Sequence, residues 1–146
     1  MIKAIILSLA LWINPSPYFY IEPELEELVL EVIAELEEEG VWPGYDERFL
    51  IRASDGVPKQ QRVIGVAYGY QIDNHTNIVI FRKRFDNLGR YQKKHVILHE
   101  IGHDVYNLRH GEIVAMLEEV PEYVPYSYYR YTLRQFIKHI KKENRK

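Results

Sequence analysis

The sequence predicts an α+β domain: a small twisted sheet with a hairpin, a buried helix following it, and an amphipathic helix at the C-terminus. Three observations carry this. Leu25, Leu28, Val29, Val32, Ile33 and Leu36 recur at helical spacing. Leu133, Phe136, Ile137 and Ile140 do the same near the end of the chain. Between them, residues 64–72 and 77–84 have the short, turn-bounded pattern of two strands.

Taken in order, residues 1–17 stand apart from a single domain over 18–146. Lys3 precedes an apolar run over residues 4–13, too short to span a bilayer but suited to a secretory signal or an interfacial anchor. Asn14-Pro15-Ser16-Pro17 breaks the run. No small-residue cleavage site follows and no lipobox cysteine is present, so a hydrophobic first strand is the alternative. Export or membrane association through residues 4–13 is the expectation set against a cytoplasmic location.

The acidic stretch from Glu22 to Glu39 is a helix, with Pro23 acceptable in its first turn and Gly40 where a helix C-terminus wants it. Arg48 to Ala53 is a short strand, and Asp55-Gly56-Val57-Pro58 a loop. Ile64, Val66, Tyr68, Tyr70 and Ile72 alternate with Gly65, Ala67 and Gly69, giving a strand with one bulky face and one nearly bare face. Asp73-Asn74-His75-Thr76 turns into a second strand from Asn77 to Arg84, which makes a hairpin. A helix is expected from Arg90 to Tyr106 and another from Ser127 to Lys142, with most of the five tyrosines between 123 and 131 packing against the latter.

The 146 residues suffice for one core but not for a second independent module. A net charge of −2 provides no general field for nucleic acid, and the basic end from Lys138 to Lys146 reads as a solvated face. With no cysteine, disulfides, thiolate metal sites and cysteine nucleophiles are excluded.

Chemistry concentrates in residues 99–110, His-Glu-Ile-Gly-His-Asp-Val-Tyr-Asn-Leu-Arg-His. His99 and His103, four apart, fall on one helix face, and Glu100 beside the first is where a zinc-activated water needs a general base. Val96, Ile97, Leu98, Ile101 and Val105 give the segment an apolar flank, and Gly102 keeps the backbone clear beside the histidines. His110 can supply a third ligand if the chain reverses after the helix. Asn107 suits that reversal because asparagine tolerates the left-handed conformation. Three protein ligands leave a fourth zinc position open, the catalytic arrangement. Met116 is by chemistry alone a core methionine. Asp104 is expected either to orient His110 or to hold a nearby Arg or Lys. His95 reads as cleft wall or exposed, His75 and His139 as surface residues, and Gln92, Lys93 and Lys94 as the solvent side of the helix. The bare face at Gly65 and Gly69 is a candidate approach for an extended peptide, with close packing of another element as the alternative. Either that strand or residues 78–82 could be the sheet edge.

The stretch from His99 to Met116 resembles the metzincin zinc peptidases, whose signature is His-Glu-x-x-His-x-x-Gly-x-x-His followed by a methionine turn. It is most similar to small metallopeptidases of phages and bacteria with a HELGHDVLNLxH-like core, and the likeness covers residues 20 to 140, including Glu22-Pro23-Glu24-Leu25 ahead of the strands. The resemblance implies a minimal metzincin-like fold with His99, His103 and His110 as zinc ligands, Glu100 as base and Met116 as the turn methionine. It departs in one place: the family's glycine position falls on Tyr106 and its third histidine on Arg109. One extra residue, with Asn107 in the glycine's role, restores the spacing to His110.

The expected activity is zinc-dependent peptide-bond hydrolysis by a monomer acting on a peptide or protein. Two rivals stand beside it: a zinc peptidase with Glu118, Glu119 or Glu122 as third ligand, and a zinc-stabilised binding or structural protein in which Glu100 is idle. Tyr123 and Tyr126 are candidates for steadying a tetrahedral intermediate.

Overall fold

A computed structural model describes residues 18–60 and 62–145. The expected signal or anchor over residues 1–17 lies outside the described residues. No described helix is long and apolar enough to cross a membrane.

The elements run β1 (Phe19–Ile21), α1 (Pro23–Glu38), β2 (Arg48–Ser54), β3 (Gly65–Ala67), β4 (His75–Phe81), α2 (Arg82–Phe85), α3 (Arg90–Asp104), a 3-10 turn (Val114–Met116) and α4 (Tyr126–Glu143). The sheet order is β1-β2-β4-β3. The first three strands are parallel and β3 is antiparallel to β4. The fold is therefore α+β with a small four-stranded mixed sheet.

α1 buries Leu25, Val29, Val32, Ile33 and Leu36, and Glu24 and Glu26 face the positive end of its dipole. Gly40, at φ 71°, closes it: Gly40 N–H donates to Glu37 O (3.0 Å) and Val41 N–H to Leu36 O (3.1 Å), the two bonds of a Schellman motif. β2 lies between two parallel neighbours and buries Phe49, Leu50 and Ile51 in succession, as a strand covered on both faces must.

The hairpin differs from the expected one. Its first arm is a strand only over Gly65–Ala67, and residues 68–71 and 73–74 form turns. Tyr68 N–H still reaches Asn77 O (2.8 Å), but Ile72 N–H turns back to Gly69 O (2.9 Å). β4 is interior, so of the two candidates β3 lies at a sheet edge and the strand beginning the 78–82 stretch does not. β4 also stops at Phe81, where α2 begins.

α3 is the central helix, packed by α1, α4, β3 and β4. Ten of its residues are buried, including Lys94 and His95. This corrects two expectations. Lys94 does not face solvent: Nζ pairs with Glu35 and lies 3.4 Å from Glu31 Oε2, both on α1, and 4.7 Å from the centroid of the Tyr129 ring on α4. His95 is neither cleft wall nor exposed but fully buried, with the Tyr128 ring 6.1 Å away. Neither ring nitrogen meets a hydrogen-bond partner among the described residues.

Candidate metal centre

Helical stacking brings His99 and His103 together, and the chain reversal adds His110. α3 ends at Asp104, Leu108 N–H returns to Gly102 O (2.9 Å), and Asn107 takes φ 54°. Gly111, at φ 84°, turns again and donates to Met116 O (2.9 Å), while Met116 N–H reaches Ile113 O (2.9 Å). The result is a closed loop that carries Ala115 beneath His99.

The three Nε2 atoms form a triangle with sides of 3.1 Å (His99–His103), 3.3 Å (His99–His110) and 3.0 Å (His103–His110). Nitrogens bound tetrahedrally to zinc at 2.0–2.1 Å stand about 3.3 Å apart, so the spacing fits that ion to a few tenths of an ångström. Among the described residues, these three form one group whose donor atoms lie within 4.8 Å of one another. Glu118, Glu119 and Glu122 do not join it, and Glu119 pairs with Arg62.

Tautomers support the fit. His99 Nδ1 is 2.9 Å from Ala115 O and His103 Nδ1 is 2.7 Å from Leu108 O. A carbonyl oxygen only accepts, so each Nδ1 carries the proton and each neutral ring directs an Nε2 lone pair at its neighbour. Two lone pairs at that distance need a cation or a donor between them. Burial pushes His99 down to about 3 against the pull of the Ala115 carbonyl, and lowers His103 as well, so both rings favour the neutral form that a metal ligand needs. Main-chain carbonyls behind imidazole ligands are also the usual means of fixing ring orientation at a metal.

Glu100 is buried, and burial followed by the nearby Asp104 pushes it up to about 8. It packs against β3: a Cβ built on Gly65 would lie 2.9 Å from Glu100 Cγ and 3.0 Å from Oε1. A Cβ on Gly69 would overlap His75 O and stand 2.8 Å from Asp104 Oδ1. Close packing of another element therefore accounts for both glycines, with Glu100 of α3 against Gly65 and His75 of β4 with Asp104 of α3 against Gly69. Gly102 has a related role, since a Cβ there would come 2.5 Å from the sulfur of fully buried Met116 and 3.2 Å from Phe136 Cε2.

Among the described residues, Asp104 makes no hydrogen bond to His110 and no ion pair with an Arg or Lys. Its Oδ2 accepts from Asn77 N–H (2.9 Å), which ties α3 to the hairpin. Burial pushes it up to about 7 against the pull of the Asn77 and Gly69 N–H groups. His75 is partly exposed at the start of β4, and His139 is partly buried, 3.9 Å from Glu112 Oε2.

A cleft of about 850 Å³ is lined by the three histidines and Glu100 together with Ile64 to Ala67 and Glu118 to Val120. Tyr123 and Tyr126 do not line it and are 79% and 56% exposed. Tyr70 does line it, with its ring centroid 5.7 Å from that of His103. Alternation had placed Tyr70 on the bulky face of a strand, and nothing in that pattern marks the turn that brings it here. No protein-family model, curated protein or solved structure matches the chain.

Proposed function

We propose that this protein is a zinc-dependent peptidase with a minimal metzincin-like fold. One observation carries the reading: three imidazole nitrogens at zinc-ligand separations share a helix and its return loop with a buried carboxylate, beside an open cleft. The antiparallel strand β3 at the sheet edge and Met116 packed under the ligand-bearing helix are further support for the metzincin-like reading.

His99, His103 and His110 would hold zinc through Nε2. Bound there, zinc supplies Lewis acidity toward the scissile carbonyl and toward water. Glu100 is not among the ligands; its part is to move protons. In its ionised form, which a dication held beside it would favour over the value of about 8 that burial sets, it would take a proton from the attacking water as the carbon–oxygen bond forms, then give it to the amide nitrogen as the carbon–nitrogen bond breaks. The products are a carboxylate and an amine.

The test is metal analysis of the purified protein, followed by digestion of a diverse peptide library with wild type and Glu100→Gln. One zinc per chain is expected in both proteins, with cleavage lowered on the order of a hundredfold or more in the variant. Stoichiometric zinc with no cleavage by wild type would reject the peptidase and leave a zinc-stabilised binding protein.

A further inference from the structure

One functional group in the cleft has no role in the hydrolysis outlined above. Tyr70 follows β3, lines the cleft and meets His103 edge-on, the two ring planes at 71°. The turn that holds it there is strained. Gln71 takes φ 63°, and the left-handed region costs a non-glycine residue about 1 kcal/mol or more. Gly69, just before Tyr70, is wedged where any side chain would collide with the His75 carbonyl.

The interactions that hold this turn come from the segment carrying the ligands. Gln71 N–H donates to Asn107 Oδ1 (3.0 Å), and Asn107 is itself left-handed at the bend between His103 and His110. Asp104, next to His103, fixes the other side of the hairpin through Asn77. Two left-handed residues distant in sequence, the strained Gln71 and Asn107, are thus joined by a single side-chain amide, which ties the turn carrying Tyr70 to the bend before the third histidine. Connecting β3 to β4 does not account for this, because Asn74 at φ 55° already supplies a left-handed residue to the reversal. Strain beyond what the connection needs points to a requirement at the site. The Gln71 side-chain amide lies 3.5 Å from the phenol oxygen and donates to it, which leaves the phenol's own hydrogen free for another acceptor.

We infer that Tyr70 is a further catalytic residue of the peptidase, its hydroxyl donating a hydrogen bond to the scissile carbonyl oxygen as that oxygen gains negative charge, with Asn107 as the residue that positions it. The inference rests on the peptidase reading. The phenol keeps its proton throughout, so no additional acid or base is required. Such a donor acts most strongly in a partly dry cleft, on charge that appears only as the reaction proceeds.

The experiment compares zinc-loaded wild type, Tyr70→Phe, Asn107→Gly and the double variant, using a cleavable peptide and a phosphinic peptide whose tetrahedral anion mimics the charged state. Tyr70→Phe retains the ring against His103, so zinc content and melting temperature should match wild type. Its kcat should fall about a hundredfold with KM little changed, and phosphinate affinity should fall at least tenfold. Asn107→Gly keeps the left-handed bend but loses the amide, so it should weaken phosphinate binding too. The double variant should lose little more than Tyr70→Phe alone, the non-additivity expected when one residue acts through another. If wild type cleaves its peptide and Tyr70→Phe equals it in kcat and phosphinate affinity, Tyr70 has no such role. In the copper-substituted protein, a visible tyrosinate charge-transfer band lost in Tyr70→Phe would make Tyr70 a metal ligand and overturn the inference in this form. Zinc-loaded wild type that neither cleaves nor binds the phosphinate would instead overturn the peptidase reading, and the inference with it.

Discussion

Replacing His95 by leucine should stabilise the metal-free protein, and more so in mild acid. The ring is fully buried, neither nitrogen has a partner among the described residues, and Tyr128 is the aromatic neighbour. A buried polar group without a hydrogen bond costs about 1–3 kcal/mol. Leucine is close to histidine in volume and carries no polar atom, so a gain of about 1 kcal/mol near pH 8 remains after imperfect packing. The pH dependence adds to this. Burial lowers His95 from the ordinary 6.5 to about 4. Between those values the unfolded chain binds a proton that the folded chain does not, so stability is present above pH 6.5 and is lost as pH falls toward 4. At 1.36 kcal/mol per pH unit the loss reaches about 3 kcal/mol, and His95→Leu should remove it. Urea titrations with chelator at pH 8, 6 and 5 measure the difference between the two proteins, which cancels the titration of the other histidines. A variant less stable than wild type at all three pH values, or a difference that does not grow with acidity, would refute the reasoning and mean that His95 is hydrogen-bonded.

His99→Ala, His103→Ala and His110→Ala should each abolish stoichiometric zinc and the rise in melting temperature that zinc confers, whereas Glu118→Gln, Glu119→Gln and Glu122→Gln should leave both unchanged; isothermal titration and differential scanning calorimetry decide. Gly69→Ala should cost about 3 kcal/mol or more in urea unfolding because the added methyl meets main chain at His75, while Gly89→Ala, with nothing within 4 Å and φ −69°, should stay within about 0.5 kcal/mol. Lys94→Met should destabilise by about 2 kcal/mol, below the full loss for a buried pair because Glu31 and Glu35 keep some contact with water (side chains 33% and 23% exposed), and far-UV circular dichroism against urea measures it.

The parts legible from sequence are those whose physics is local. Helical spacing identified α1 and α4 nearly to their ends, because each buries a stripe set by its own periodicity. The reversal at Asn107 was legible because a left-handed bend selects few residue types, and the angle there is φ 54°. The bringing together of His99, His103 and His110 follows from that bend. The parts that escaped depend on partners distant in sequence. Lys94 is polar by letter, and its burial depends on carboxylates of α1 that no window around it contains. Gly65 and Gly69 announce a bare face without saying that Glu100 and Asp104 fill it. Tyr70 leaves the strand pattern because Gly69 and Asn107 divert the chain, and alternation alone continues straight through them. β1 has three residues, too few for a period to be visible.

The two edges of the sheet have a consequence for how this protein meets other chains. β2 and β4 are seven residues long but are flanked by β1 and β3, each of three. Unpaired main-chain donors and acceptors are what let one folded molecule graft onto the next, and short outer strands are a recognised protection against it. Among the described residues the long strands, which would be the hazard, are enclosed, and the edges they leave are short. The same economy limits any guest on the β3 side: a strand laid there finds a foothold only three residues long, so its affinity and its selection must come mainly from side chains seated in the neighbouring cleft.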